Sequence, residues 1–177
     1  GGYTESYAKA FSDPNTKVFP APTKPYLIAV PDKSNFETLE TDEKAKKFYS
    51  SKVPSFDIES PYYRWEKEWG AKELKEVLEK TLPAQSKTGF VRPAVQQGED
   101  IGKIKDIIVM KRGKSGKIME VEINTYKGCY IVSKELVIRR VFQKDGISLP
   151  SANAVFEKTI DNYGNVKSIR IYGGGYG

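Results

Sequence analysis

The chain has 177 residues, a length that suits one compact domain with at most a small subsidiary lobe. Hydrophobic residues make up 38% and charged residues 29%, which excludes a chain that is disordered as a whole. The absence of histidine excludes a Ser-His or Cys-His triad and a histidine metal site in these residues, whereas a net charge of +6 favours anionic partners.

The first part of the chain predicts loop followed by short elements. Residues 1–24 are rich in Pro, Ser, Gly and Thr and predict loop, with a short turn of helix near Tyr7 to Phe11. Residues 25–30 predict a short strand between two prolines. A helix is predicted from Thr41, whose hydroxyl can cap it, to about Ser50.

A strand and a longer helix are predicted next. Residues 62–69 alternate aromatic and charged side chains, as a half-buried strand does. Residues 71–80 have the apolar spacing of an amphipathic helix, which we expect Pro83 to end. Residues 84–100 are then predicted to form a polar linker.

Strand patterns dominate the rest of the chain. Two strands are predicted around the turn at 113–116, with Met119, Val121 and Ile123 on one face of the second. A third strand, a helix capped by Ser133 and a final hairpin are predicted at residues 130–132, 133–142 and 154–172. Cys129 adjoins the third strand, where a buried core thiol is expected rather than a nucleophile.

These elements predict an α+β fold, with an antiparallel sheet core and a smaller helical lobe. The expected divisions are an N-terminal segment at 1–30, a helical lobe and linker at 31–100, and a β-rich core at 101–177. The start has no initiator Met and the end is a glycine-rich run of the kind that brings backbone close to a ligand. We therefore expect the 177 residues to be the middle of a larger protein.

Six segments, in this order and spacing, resemble one family. The chain is similar to the SpoIID/LytB family, which comprises sporulation stage II protein D and the amidase enhancers. The resemblance extends over nearly the whole chain and is carried by Gly1-Gly2-Tyr3-Thr4-Glu5, Pro25-Tyr26-Leu27, Ser60-Pro61-Tyr62-Tyr63-Arg64-Trp65, Arg112-Gly113-Lys114-Ser115-Gly116-Lys117, Leu149-Pro150-Ser151-Ala152-Asn153 and Ile171-Tyr172-Gly173-Gly174-Gly175-Tyr176-Gly177.

The resemblance implies a protein that acts on peptidoglycan outside the cytoplasm, in the cell envelope or between forespore and mother cell. Sporulation members are lytic transglycosylases that cleave denuded glycan strands, with one Glu as general acid in a sugar-binding cleft. In that family this Glu precedes the segment that matches Gly1, and so does a zinc site of His and Cys where one is present. The resemblance therefore assigns no catalytic residue, metal or cofactor to these 177 residues.

Several residues match family segments that line the cleft. The expected substrate-binding residues are Tyr3, Thr4, Glu5, Ser151, Asn153, Tyr172, Gly174 and Tyr176. Each has a structural alternative: a frayed terminus for Tyr3 to Glu5, turn chemistry for Ser151 and Asn153, and a flexible tail for the glycine-rich run.

Aromatic and basic residues leave further alternatives open. The aromatic residues Tyr62, Tyr63, Trp65 and Trp69 can stack on sugar faces or belong to the core. The basic residues Lys111, Arg112, Lys114 and Lys117 are expected at a hairpin tip, where they are either solvated or in contact with an anionic wall polymer.

The expected partners are peptidoglycan glycan strands, with membrane attachment only through a segment outside this chain. The main alternative is a non-enzymatic module that binds the wall or stimulates a cell-wall amidase. A basic nucleic-acid binder is the third hypothesis, and Glu66 and Glu68 within the aromatic strand argue against it.

Overall fold

The computed structural model describes residues 4–31, 36–52 and 58–177. Within these ranges the chain forms helices and strands in the following order: α1 (Tyr7–Ala10), α2 (Asp42–Tyr49), β1 (Trp65–Gly70), α3 (Ala71–Ser86), β2 (Val91–Arg92), β3 (Ile104–Arg112), β4 (Ile118–Thr125), β5 (Cys129–Ser133), α4 (Glu135–Val141), β6 (Gln143–Lys144), β7 (Ile147–Ser148), β8 (Ala154–Ile160) and β9 (Val166–Gly173).

The strands form antiparallel sheets, which confirms the predicted α+β class. Over the described residues, one sheet has the order β1-β9-β8 and a second has the order β2-β5-β4-β3, while β6 and β7 form a small hairpin. At one end of the first sheet, Gly173 of β9 lies between Trp65 of β1 and Ala154 of β8. The end of the chain is therefore held between two strands that are distant from each other in sequence.

The main core lies between the two sheets and the helices α3 and α4. The amphipathic pattern of α3 buries Leu74, Leu78 and Leu82 completely. Full burial of a leucine contributes about 2 kcal/mol relative to exposure. This core takes residues from both sides of position 100, including Trp69 of β1 and Ile171 of β9.

A smaller apolar cluster lies where α2 packs against β8. Ala45 and Tyr49 of α2 contact the part of the sheet that contains Val155 and Tyr172. The predicted cap of α2 is confirmed, because the Thr41 hydroxyl accepts a hydrogen bond of 3.3 Å from the Lys44 amide. The helix thus begins where the sequence predicts.

Two predicted elements in the first hundred residues differ in the structure. Residues 25–30 form a turn and an extended segment instead of a strand: Leu27 donates to the Lys24 carbonyl, and Val30 bonds to the amide and hydroxyl groups of Thr4. The helix α3 continues through Pro83 to Ser86, into the segment predicted as linker. Leu82 and Pro83 are buried there, so packing outweighs the loss of one backbone hydrogen bond.

The segment around Ser133 also differs from its prediction. Ser133 ends β5, where it pairs with Glu120, and the helix α4 begins after Lys134, which has a positive φ of 72°. Cys129 is exposed rather than in the core, because it begins the strand β5 opposite Asn124. Partial desolvation of the thiol, followed by the negative charge of the nearby Glu122, raises the pKa of Cys129.

Candidate functional site

The glycine-rich run at the end of β9 is an ordered loop that joins two other predicted segments. The Gly174 amide donates to the Asn153 carbonyl at 3.0 Å, and the Gly175 amide donates to the Tyr62 carbonyl at 2.7 Å. The Gly177 amide donates to the Pro150 carbonyl at 2.9 Å. Three of the segments that carry the family resemblance therefore meet at one surface. This loop surface comprises Tyr62, residues 150–153 and residues 174–177.

Backbone contact at this surface depends on a residue without a side chain at position 173. A Cβ on Gly173 would lie 2.0 Å from the Asn153 carbonyl oxygen and 2.9 Å from the Trp65 ring. Both distances are shorter than real side chains tolerate. Gly173 thus permits the close approach of β8, β9 and Trp65 at the start of the loop.

Ser151 and Asn153 have different roles, although both were expected to bind substrate. Ser151 is fully buried, and its hydroxyl donates to the Gly174 carbonyl at 2.8 Å and accepts from the Asn153 amide at 3.3 Å. It therefore holds the loop in place. The Asn153 side chain is half-buried, and its Oδ1 has no hydrogen-bond partner among the described residues. A buried acceptor of this kind is stabilised when a donor reaches it.

Two tyrosine rings lie beside this loop. Tyr62 and Tyr176 have exposed fractions of 42% and 72%, and their ring centroids are 4.6 Å apart. The rings are tilted by 44°, so they present two apolar surfaces with hydroxyl groups at the edges. Exposed aromatic pairs of this kind suit the flat apolar faces of sugar rings.

Tyr172 lies on the side of the sheet that α2 covers. Its ring is buried in the smaller cluster, and its hydroxyl donates to Glu157 at 3.0 Å. Burial first, and then this hydrogen bond, raise the pKa of Tyr172 to about 12. Lys46 bonds to Glu157 at 2.6 Å and is the main cause of the lowered pKa of that carboxyl group.

Arg64, which sequence analysis did not select, connects α2 to the glycine-rich loop. Its guanidinium donates to the carbonyl groups of Phe48, Ser51 and Tyr63 at 2.8–3.3 Å. It also lies over aromatic rings, with the Tyr63 centroid at 4.2 Å. Its Nη1 would be 3.0 Å from a Cβ on Gly174. The only sequence signal was its place between Tyr63 and Trp65.

The N-terminal candidates are anchored elsewhere. The Glu5 Oε2 accepts from the Ser115 hydroxyl at 2.8 Å and lies where a Cβ on Gly113 would be, at 1.8 Å. Thr4 pairs with Val30 through backbone and hydroxyl groups. Glu5 thus anchors its segment to the hairpin turn, and Tyr3 lies outside the described residues.

That turn adjoins the loop surface through one hydrogen bond. The Ile118 amide, two residues beyond the turn, donates to the Ala152 carbonyl at 2.9 Å. Arg112 is buried at the base of the turn, where it bonds to Asp42 and to the Gly116 carbonyl. Of the basic residues expected at the tip, Arg112 is therefore a structural residue.

The remaining aromatic candidates belong to the interior. Trp69 is fully buried and donates its ring N–H to the Gln143 carbonyl at 2.9 Å. Trp65 and Tyr63 are also buried. The core alternative is therefore confirmed for these three residues, and Tyr62 alone of the four faces solvent substantially.

The described ranges contain neither a membrane-spanning helix nor a cluster of metal ligands. No helix in those ranges is long and apolar enough to span a membrane. No group of three or more Asp, Glu, His or Cys side chains is placed there to hold a metal ion.

Comparison with known proteins identifies the family without a function. A search of curated proteins and a search of solved structures found no match. The model of one family, described as Domain of unknown function (DUF8618), matches residues 13–177. Because the match covers most of the chain, including every element from α2 to β9, the protein belongs to the DUF8618 family.

Proposed function

We propose that the chain forms part of a sugar-binding cleft in a peptidoglycan-acting protein of the SpoIID/LytB type. The observation that supports this most directly is the meeting of three resemblance segments at one surface. Tyr62, Asn153 and the loop at 174–177 are joined there by backbone hydrogen bonds. Residues that bind the same sugar must lie close together in the folded chain, as these do.

The chemistry of the surface suits a neutral part of a glycan. The rings of Tyr62 and Tyr176 offer apolar faces for stacking, and the half-buried Asn153 side chain places a polar amide group beside them. The loop is held by Ser151, so these groups are in position before a ligand binds. Such preorganisation lowers the entropic cost of binding.

Among the described residues at this surface, Tyr62, residues 150–153 and residues 174–177 include no Asp or Glu side chain. The resemblance places the general acid in a segment that precedes the match to Gly1. We therefore expect the 177-residue chain to bind glycan without cleaving it. Release of anhydro-muramic products from denuded glycan by this chain would contradict that expectation.

The proposal can be tested by titrating chitotriose into the ¹⁵N-labelled chain and following amide NMR shifts. We expect shifts at Tyr62, Asn153 and residues 174–176. Tyr62→Ala and Tyr176→Ala should each weaken binding about two- to tenfold, since an aromatic contact contributes about 0.5–1.5 kcal/mol.

The matched control for this experiment is Tyr163→Ala. Tyr163 is 90% exposed in the turn between β8 and β9, away from the loop surface. Its replacement should leave binding unchanged. An absence of shifts at millimolar chitotriose, or equal effects of all three variants, would overturn the proposal.

A non-enzymatic wall-binding or amidase-stimulating role is the second candidate. The absence of Asp and Glu side chains from Tyr62, residues 150–153 and residues 174–177 favours it. Faster release of stem peptides by a cell-wall amidase in the presence of this chain, with no glycan products, would support this role over the enzymatic one.

A further inference from the structure

A cavity lies beside Gly173, the residue that precedes the glycine-rich loop. It has a volume of about 470 Å³ and is bounded by the end of α2, the start of β1 and the end of β9. Four cationic and two anionic side chains line it: Lys46, Lys52, Arg64, Arg170, Glu66 and Glu157. The volume is within the range of pockets that hold small organic ligands, about 300–1,000 Å³.

The two carboxylates in this cavity already have cationic partners. Glu157 accepts from Lys46 at 2.6 Å, and Arg170 lies 3.5 Å from it. Arg170 also bonds to Glu66 at 2.5 Å. Among the described residues, no ion pair joins a carboxylate to the other two cations, Lys52 and Arg64. Among the described residues that line the cavity, two positive charges are therefore left without a paired carboxylate.

Arg64 is the more informative of these two cations because it is half-buried. Its hydrogen bonds go to neutral carbonyl groups and its planar faces to the rings of Phe48, Tyr49 and Tyr63. These contacts use four of its five N–H groups and do not neutralise its charge, and one Nη1–H has no partner among the described residues. Removing a cation from water without a counter-ion is unfavourable, so an anion in the cavity would be stabilised.

We infer that this cavity binds the carboxylate of an acidic sugar, with Lys52 and Arg64 as its cationic partners. The identity of the sugar rests on the proposed function. A ring stacked on Tyr62 and Tyr176 would lie near Gly175, about 7 Å along the chain from Gly173 at the cavity wall. N-acetylmuramic acid is the peptidoglycan sugar that carries such a group, on its lactyl substituent.

The test compares N-acetylmuramic acid, its methyl ester and N-acetylglucosamine in low-salt NMR and calorimetric titrations of the full chain. The acid should bind at least about tenfold more tightly than the other two and should shift the amides of Ser51, Lys52 and Gly173. Lys52→Ala should reduce the ratio of the affinity for the acid to the affinity for its ester by about three- to tenfold. Lys72→Ala, at a highly exposed position on α3, is the matched control and should leave it unchanged.

Sodium lactate and inorganic phosphate complete the design. Lactate should shift the same cavity amides more strongly than phosphate at equal concentration. Arg64→Lys keeps the charge but not the planar fork, and should weaken lactate binding while the chain remains folded by circular dichroism. Stronger binding of phosphate would overturn the carboxylate assignment, as would equal binding of the acid and its ester.

The outcomes separate this inference from the proposed function. If chitotriose shifts the tyrosine loop but the acid has no advantage over its ester, the carboxylate site is wrong and the sugar surface stands. If lactate shifts the cavity amides but no sugar shifts the loop, the carboxylate site stands and the proposed function fails.

Discussion

Single residues at the loop surface act mainly by fixing backbone. Ser151 was expected to contact substrate, but its hydroxyl is buried against the Gly174 carbonyl. Asn153 uses its main-chain carbonyl group for the loop, and its half-buried side chain has an oxygen without a hydrogen-bond partner among the described residues. The same short Ser-x-Asn pattern therefore contains one structural residue and one candidate ligand contact.

Replacement of Ser151 tests whether its hydroxyl group has the structural role described above. Ser151→Ala removes a buried hydroxyl and leaves the Gly174 carbonyl without that donor, so we expect the free energy of unfolding to fall by about 1–3 kcal/mol. Urea unfolding measures this change. Thr159→Ala removes an exposed hydroxyl that bonds to Ser168, and its effect should stay within about 0.5 kcal/mol. Equal effects of the two variants would contradict the structural role of Ser151.

At the scale of elements, the end of β9 is the most constrained position. Here β9 lies between β1 and β8, and its last residue, Gly173, lies close to both the Asn153 carbonyl oxygen and the Trp65 ring. This contact sets the direction in which the glycine-rich loop leaves the sheet. The sheet therefore positions the candidate sugar surface.

Gly173→Ala should disrupt this junction. The new methyl group would overlap the Asn153 carbonyl oxygen, so we expect a loss of about 3 kcal/mol or more, above the usual range for overpacking because backbone cannot move aside. Thermal unfolding compares it with Gly70→Ala. A Cβ on Gly70 has nothing within 4 Å, so that variant should cost at most about 1 kcal/mol. Similar losses in both would show that the junction is not tightly packed.

At the scale of the whole molecule, the two sheets and helices α3 and α4 share one core. Residues from β1 and α3, predicted to lie in a helical lobe, pack with residues from β4, α4 and β9. The smaller cluster around α2 is joined to the same sheet through Val155 and Tyr172. A shared core of this kind favours cooperative unfolding.

We expect unfolding in urea to be one transition. Fluorescence of Trp65 and Trp69 should change with the same midpoint as far-ultraviolet circular dichroism, because helix and sheet lose the same core. Leu78→Ala should lower both midpoints together, with a loss of about 2–5 kcal/mol. Two separate transitions would instead indicate that residues 31–100 fold independently of residues 101–177.

The sequence alone determined the elements that depend on local chemistry. Thr41 caps α2, the apolar spacing begins α3 at Ala71, and the glycine turns join β3 to β4 and β8 to β9, because these signals act between neighbours. The alternation of β4 also predicted which of its side chains are buried.

Only the tertiary structure decided which distant residues meet. The pairing of β1 with β9 joins positions about a hundred residues apart, and it brings Tyr62 to the glycine-rich loop. Tertiary packing also allows α3 to continue through Pro83, leaves Cys129 exposed, and places Arg64 against Gly174. Such outcomes depend on the shape of the whole core, which a local pattern of residues does not contain.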